Sequence, residues 1–170
     1  MSSKFIRDLR EWTKSILIAA ILAILIHTFL FAVVVVSGPS MEPTLHNNER
    51  LILNKIVYDF SELQRGDIIV FHANKQDDYI KRVIGLPNEK VEFKDNKLYI
   101  NDQLIEEDYL NNTRTDDVSP VVVPEGTIYV LGDNRLNSTD SRILGPISLD
   151  QVVGRVKLQL WPLNELGLVK

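Results

Sequence analysis

Residues 16–36 read ILIAAILAILIHTFLFAVVVV, apolar throughout except for His27 and Thr28. About 20 apolar helical residues match the hydrocarbon thickness of a bilayer, so this run predicts a single transmembrane helix. Lys4, Arg7, Arg10 and Lys14 precede it. Basic flanks stay on the cytoplasmic side, which predicts residues 1–15 inside the cell and everything after Val36 outside it. A cleaved signal peptide is the rival reading, but such peptides have apolar cores of roughly 7–15 residues and end in small side chains. This run is longer and closes on valines and Gly38-Pro39, which favours a retained anchor. His27 reads as a neutral imidazole packed within the span and is assigned no role.

Residues 37–170 predict one extracytoplasmic, mainly β domain. Short β-rich runs, ERLILNKIV (49–57), GDIIVFHA (66–73), YIKRVIG (79–85), EKVEF (89–93), KLYIN (97–101), GTIYVLG (126–132) and GRVKLQLW (154–161), are separated by Gly, Pro, Asn and Asp. That punctuation predicts an antiparallel β-sandwich or barrel-like fold. KDNK (94–97) predicts a tight hairpin. Residues 108–120 are polar and without period, which predicts a surface loop. SLDQV (148–152) suits a single helical turn. Arg65-Gly66-Asp67 reads as a turn that launches a strand and not as an adhesion motif.

Composition removes several kinds of chemistry. The net charge of −4 gives no reason to expect nucleic acid as a partner. With no cysteine, neither a disulfide framework nor a thiolate metal site is available. His46 and His72 lack metal-ligand spacing, and the eight glycines form no phosphate-cradling motif. No metal and no cofactor is expected.

Nucleophiles remain. Ser40 stands between Pro39 and Pro43 in SGPSMEPT, where the apolar run ends. The prolines fix φ on both sides and pre-order the loop, and Gly38, lacking Cβ, would let another backbone approach. A serine hydroxyl needs a base. His46 and His72 are candidates, but neither has an orienting acid at a diagnostic spacing. Lys81 is the other candidate. Strand alternation over residues 79–85 sets Tyr79, Lys81 and Val83 on one face and Ile80, Arg82 and Ile84 on the other. A free lysine has a pKa of about 10.4, and burial would have to lower it by roughly 3 units, a cost of about 4 kcal/mol. The loop LGDNRLNSTDSRILG (131–145) collects Asp133, Asn134, Ser138, Asp140 and Arg142, the materials of a hydrogen-bonded scaffold beside a site.

In order along the chain, SMEPT, KRVIGLP and GDNRLNSTDSR, with RGDIIVF between the first two, resemble bacterial type I signal peptidase, the leader peptidase family, in its smaller one-span form. The resemblance runs from the apolar run to Trp161-Pro162. It implies a membrane-bound serine endopeptidase that removes signal peptides from exported preproteins through an acyl-enzyme, favouring Ala-x-Ala cleavage sites. It implies Ser40 as nucleophile and Lys81 as general base. Ser138 matches the hydroxyl that orients the amine, and Asp140 and Arg142 match an ion pair shaping the site. Asp133 and Asn134 belong to the same motif, and Gly38 and Met41 flank the nucleophile as substrate-binding positions. One departure stands out: Gly38 occupies a position where many relatives carry a hydroxyl as second oxyanion donor. Loss of one such donor typically costs about 10²–10³ in rate. Two alternatives are a self-cleaving Ser/Lys peptidase, which would carry a DNA-binding region in place of the span, and a membrane-tethered β module that binds secretory proteins without cutting them.

Overall fold

The computed structural model of the chain describes residues 3–29, 31–55, 63–110 and 115–169. Helix α1 runs from Ser3 to Phe29. Its described apolar side chains, Ile16, Leu17, Ile18, Ile21 and Leu22, are exposed, while the side chain of His27 lies outside the described residues. Among the described residues no helix is long and apolar enough to cross a membrane.

The expected helical span of 16–36 needs correction at its C-terminal end. Residues Phe31–Val35 form strand β1, paired antiparallel with β2 (Arg50–Asn54). The cause is local. Consecutive β-branched valines are stiff at χ1 and fit a pleated surface better than a helix. Alternation then turns Ala32 and Val34 toward the core and leaves Phe31, Val33 and Val35 outward.

The strands that follow are β3 (Ile68–His72), β4 (Asp78–Gly85), β5 (Lys90–Lys94), β6 (Lys97–Ile100), β7 (Gln103–Ile105), β8 (Val118–Val122) and β9 (Thr127–Leu131). A short helix, α2 (Ser141–Leu144), precedes β10 (Ile147–Ser148), β11 (Val152–Trp161) and β12 (Gly167–Leu168). All pairings are antiparallel, in two sheets. The larger has the order β1-β2-β11-β3-β4-β9-β10, with β12 also on β11, and the smaller has the order β7-β6-β5-β8. The mainly antiparallel β architecture is therefore as expected.

The KDNK hairpin forms with Lys94 opposite Lys97 and with Asp95 and Asn96 at positive φ, as a two-residue turn between twisted strands requires. SLDQV supplies one 3₁₀ turn, Leu149–Gln151. Strand β2 ends at Asn54, and residues 56 and 57 of the longer expected strand lie outside the described residues. The expected surface loop at 108–120 also needs correction, because its last residues enter β8. Pro120 is tolerated in that strand because β8 is at the edge of its sheet, and the pairing with β5 shifts register between Val121 and Val118, around Pro120.

The smaller sheet packs behind the strands that carry the motifs. Val91, Phe93, Leu98 and Ile100 share one buried cluster with Ile84 of β4 and with Tyr129 and Leu131 of β9. A second cluster joins Val36, Met41 and Leu45 to β2, β3 and β11. Strand β4 and the turn after β1 are thus each anchored by apolar burial, and the site forms between them.

Candidate active site

Three segments meet at one cleft of about 270 Å³, lined by residues of β1 and its following turn, of β4, and of the loop after β9. The turn carries Ser40. Its shape is set by hydrogen bonds from Glu42 N–H to Pro39 O (3.1 Å) and from Leu45 N–H to Met41 O (3.0 Å). Met41 is 1% exposed, part of the core beneath the turn and part of the cleft wall. Gly38 has φ +89°, a conformation that side-chain-bearing residues rarely adopt. Its N–H is bound to Asn47 Oδ1 at 3.0 Å. Gly38 is not among the residues lining the cleft, whereas Ser37 is.

Strand β4 brings in Lys81. Its amine nitrogen lies 2.8 Å from Ser40 Oγ and 2.9 Å from Ile80 O. The same nitrogen lies 5.4 Å from the centroid of the Tyr79 ring, as the strand alternation anticipated. Lys81 is only 3% exposed. Burial pushes its pKa down from 10.5 to about 8, against the opposing pull of the Asp140 and Asp133 carboxylates. An ammonium loses hydration in such surroundings, so the neutral amine becomes accessible near neutral pH. Neither His46 nor His72 lines the cleft. His46 is exposed, and His72 Nδ1 pairs with Asp78 Oδ1 at 2.6 Å.

On the opposite face of β4, Arg82 donates from Nε to Asp133 Oδ1 (2.9 Å) and from Nη2 to Asp133 Oδ2 (2.7 Å). Both side chains are out of contact with solvent. Thr44 Oγ1 donates to the same carboxylate at 2.6 Å, so Asp133 ties the serine turn to the lysine strand. Asn134 adds a second tie. Its N–H donates to Ser40 O (3.1 Å) and its Nδ2 to Pro39 O (3.2 Å). Gly132 makes room for this approach: a Cβ there would collide with Ser40 O and Ser138 Oγ.

Asp140 and Arg142 form the expected ion pair, Nη2 to Oδ2 and Nε to Oδ1, each 2.8 Å. Burial alone would raise the Asp140 carboxyl, but hydrogen bonds from Arg142 and from Gly132 N–H outweigh that and hold it below the ordinary carboxylate value. Asp140 also caps α2 through the N–H of Arg142. Ser138 stands beside the Ser40 main chain at Gly132, and its hydroxyl contributes to holding the Asp140 carboxyl below its ordinary value. Thr44, Asn47, Gly132 and the Arg82–Asp133 pairing were not singled out from sequence. Alternation did set Arg82 on the face of β4 opposite Lys81; its buried guanidinium there needs a carboxylate, and Asp133 supplies it.

This arrangement places an amine of depressed basicity against a hydroxyl at the floor of an open cleft, the makings of an activated nucleophile. Residues 9–161 match the family model described as signal peptidase, peptidase S26. The chain is 46% identical to signal peptidase I T of Bacillus subtilis, over 94% of this chain and 89% of that protein. It is 41% identical to signal peptidase IB of Staphylococcus aureus, over 94% and 93%. Among solved structures, a signal peptidase I from Enterococcus faecalis is 39% identical and superimposes with a TM-score of 0.51, covering 55% of this chain and 96% of that one.

Proposed function

The chain belongs to the signal peptidase family, peptidase S26, and from that premise we propose that Ser40 is its nucleophile and Lys81 its general base. The protein is a serine endopeptidase that cleaves signal peptides. The single observation carrying the residue assignment is the 2.8 Å approach of a buried, weakly basic amine to a hydroxyl on the cleft floor.

In this reading neutral Lys81 accepts the Ser40 proton as Oγ attacks the scissile carbonyl. The backbone N–H of Ser40 donates to the developing oxyanion. Ser37 is the hydroxyl nearest in sequence that lines the cleft, and it is our candidate second donor in place of the one missing at Gly38. Protonated Lys81 then returns its proton to the departing amine, releasing the mature chain and leaving the signal peptide esterified to Ser40. Water, deprotonated by the same amine, hydrolyses the ester. Asp133, Asn134, Asp140 and Arg142 hold the three segments in register.

The substrate would bind as an added strand. Strand β9 pairs with β4 only from Arg82 onward, whereas β3 pairs with it from Asp78. Among the described residues, Asp78–Lys81 therefore presents one unpaired backbone edge to the cleft. An Ala-x-Ala segment laid along this edge would keep its small side chains clear of the cleft walls.

For location, we propose that the apolar half of α1 anchors the chain, with Arg7, Arg10 and Lys14 on the cytoplasmic side and the β domain outside. The exposed side chains of Ile16, Leu17, Ile18, Ile21 and Leu22 support a lipid environment. Phe31, Val33 and Val35, and farther along Trp161, Leu163, Leu166 and Leu168, are exposed apolar groups of the β domain, and they suit contact with the bilayer surface. The cleft would then lie where a signal peptide leaves the membrane.

The test is cleavage of a preprotein bearing an Ala-x-Ala site by wild type, Ser40→Ala and Lys81→Ala. Activity in wild type alone supports the pairing. Equal cleavage by all three defeats it, and no cleavage by wild type favours a binding module.

A further inference from the structure

Two guanidinium groups of the site turn away from the cleft and converge on residues 107–109, which follow β7 of the smaller sheet. Arg82, next in sequence to Lys81, stacks its Cζ 3.9 Å from the centroid of the Tyr109 ring. Arg135, in the loop after β9, is 2% exposed. It donates to Glu107 Oε1 (2.5 Å) and Oε2 (3.1 Å), to Thr115 Oγ1 (2.8 Å) and to Tyr109 Oη (3.4 Å). Tyr109 Oη in turn donates to Glu107 Oε1 at 2.6 Å. The carbonyl of Arg135 accepts from Arg142 Nη1 at 2.6 Å, so the chain of contacts continues to Asp140. Glu107 and Tyr109 do not line the cleft.

We infer that Glu107 and Tyr109 are positioning residues for the Ser40–Lys81 pair, acting through Arg82 and Arg135. The geometry gives each a distinct task. The Tyr109 ring covers one face of Arg82 and fixes the plane in which that guanidinium meets Asp133. Glu107 neutralises Arg135 and orients it, and the Arg135 main chain then receives Arg142. Both motif carboxylates that act on Lys81, Asp133 and Asp140, are thereby set by guanidiniums whose own far sides are held by, or linked to, this one segment. Burial and the Glu107 carboxylate push the Tyr109 phenol well above its ordinary pKa, so it stays protonated and remains a donor.

The consequence is a directional one. Lys81 is faced by Ser40, by the Tyr79 ring, and by the carboxylates of Asp133 and Asp140 with Arg82 and Arg142 bound to them; Asp78 lies farther along the same cleft. Loosening Arg82 leaves the Asp133 charge less compensated and admits water behind β4. Both changes favour the ammonium form of Lys81, so activity needs a higher pH to appear.

This inference rests on the Ser40–Lys81 reading, and the experiment keeps the two apart. The full chain is assayed in detergent on a peptide with an Ala-x-Ala site, comparing wild type, Ser40→Ala, Tyr109→Phe, Tyr109→Leu and Glu107→Gln, with thermal unfolding measured on each. Tyr109→Leu and Glu107→Gln are expected to lose roughly tenfold to a hundredfold in kcat, the scale for a slightly misplaced catalytic group, with little change in KM. For Tyr109→Leu the acid limb of the pH profile moves upward, while Tyr109→Phe, which keeps the ring, retains the wild-type limb. Tyr109→Leu with wild-type kcat and limb, or Tyr109→Phe impaired as much as Tyr109→Leu, overturns the role of the ring. If Tyr109→Leu does not fold, Glu107→Gln decides: wild-type kcat in that variant overturns the proposal. Cleavage by Ser40→Ala at the wild-type rate would instead sink the dyad assignment, whatever the Tyr109 variants do.

Discussion

Arg82 and Asp133 meet through two parallel hydrogen bonds, 2.9 and 2.7 Å, in a place that water does not reach. Lys81 and Arg82 are neighbours on β4 and point to opposite faces, so the pair lies directly behind the amine that contacts Ser40. The Asp133 carboxylate does two opposed things. It satisfies a buried guanidinium, and its field raises the pKa of Lys81. Removing half of a buried ion pair typically costs about 3–5 kcal/mol, because the remaining charge is left without compensation.

Asp133→Asn is therefore expected to lose stability on that scale, read by denaturant unfolding. What activity survives should show its acid limb at lower pH than wild type, since a negative charge near Lys81 is gone and the Arg82 charge is exposed to it. An unchanged unfolding midpoint, or an acid limb moved upward, would contradict the electrostatic account of the pair.

Gly132→Ala tests the closeness of the two segments. A methyl group at this position meets Ser40 O and Ser138 Oγ, one of them main chain that cannot rotate aside. The contacts from Asn134 to Ser40 O and Pro39 O would have to lengthen. A displacement of the nucleophile of about 1 Å can cost on the order of 10²-fold in rate. The variant is expected to fold, since β9 is complete before Gly132, and to lose most of its kcat. Wild-type turnover in Gly132→Ala would show that the loop does not set the position of Ser40.

Much of this arrangement was readable from the chain because it depends on local pattern. Alternation alone put Tyr79 and Lys81 on one face and Arg82 on the other, and turn residues marked the Asp95-Asn96 hairpin. Strand β1 was hidden because a run such as FAVVV is equally apolar as helix or strand, and its neighbours carried the helical reading past Phe29. Strand β8 was hidden by Pro120 and the polar residues before it, which are tolerated only because that strand is an edge. Ser138 comes to lie beside the Ser40 main chain at Gly132; the direction of its hydroxyl is decided by the rotamer and the packing there, which no spacing encodes. The convergence of Arg82 and Arg135 on Glu107 and Tyr109 was also out of reach. It exists only because the smaller sheet packs behind β4 and β9, a contact between segments with no periodic relation in the sequence.

The buried amine itself has a cost that can be measured separately from catalysis. Lys81 has a pKa of about 8 in the folded protein against 10.5 ordinarily. At about 1.4 kcal/mol for each unit of pKa, the protonated form destabilises the fold by about 3 kcal/mol. Below pH 8 the side chain is charged in both the folded and unfolded chain, and the whole cost is present. Between pH 8 and 10.5 the unfolded chain holds a proton that the folded chain has released, so stability rises with pH; above 10.5 both are neutral and the cost has gone. Lys81→Met keeps the aliphatic length and removes the titration. The stability difference between Lys81→Met and wild type is thus expected to favour the variant most near pH 7 and to shift toward wild type by about 3 kcal/mol as pH rises to 10.5. The variant should be inactive at every pH. A stability difference that stays flat across this window would mean that Lys81 is not held in a dehydrated state, and the base would have to be sought in another side chain.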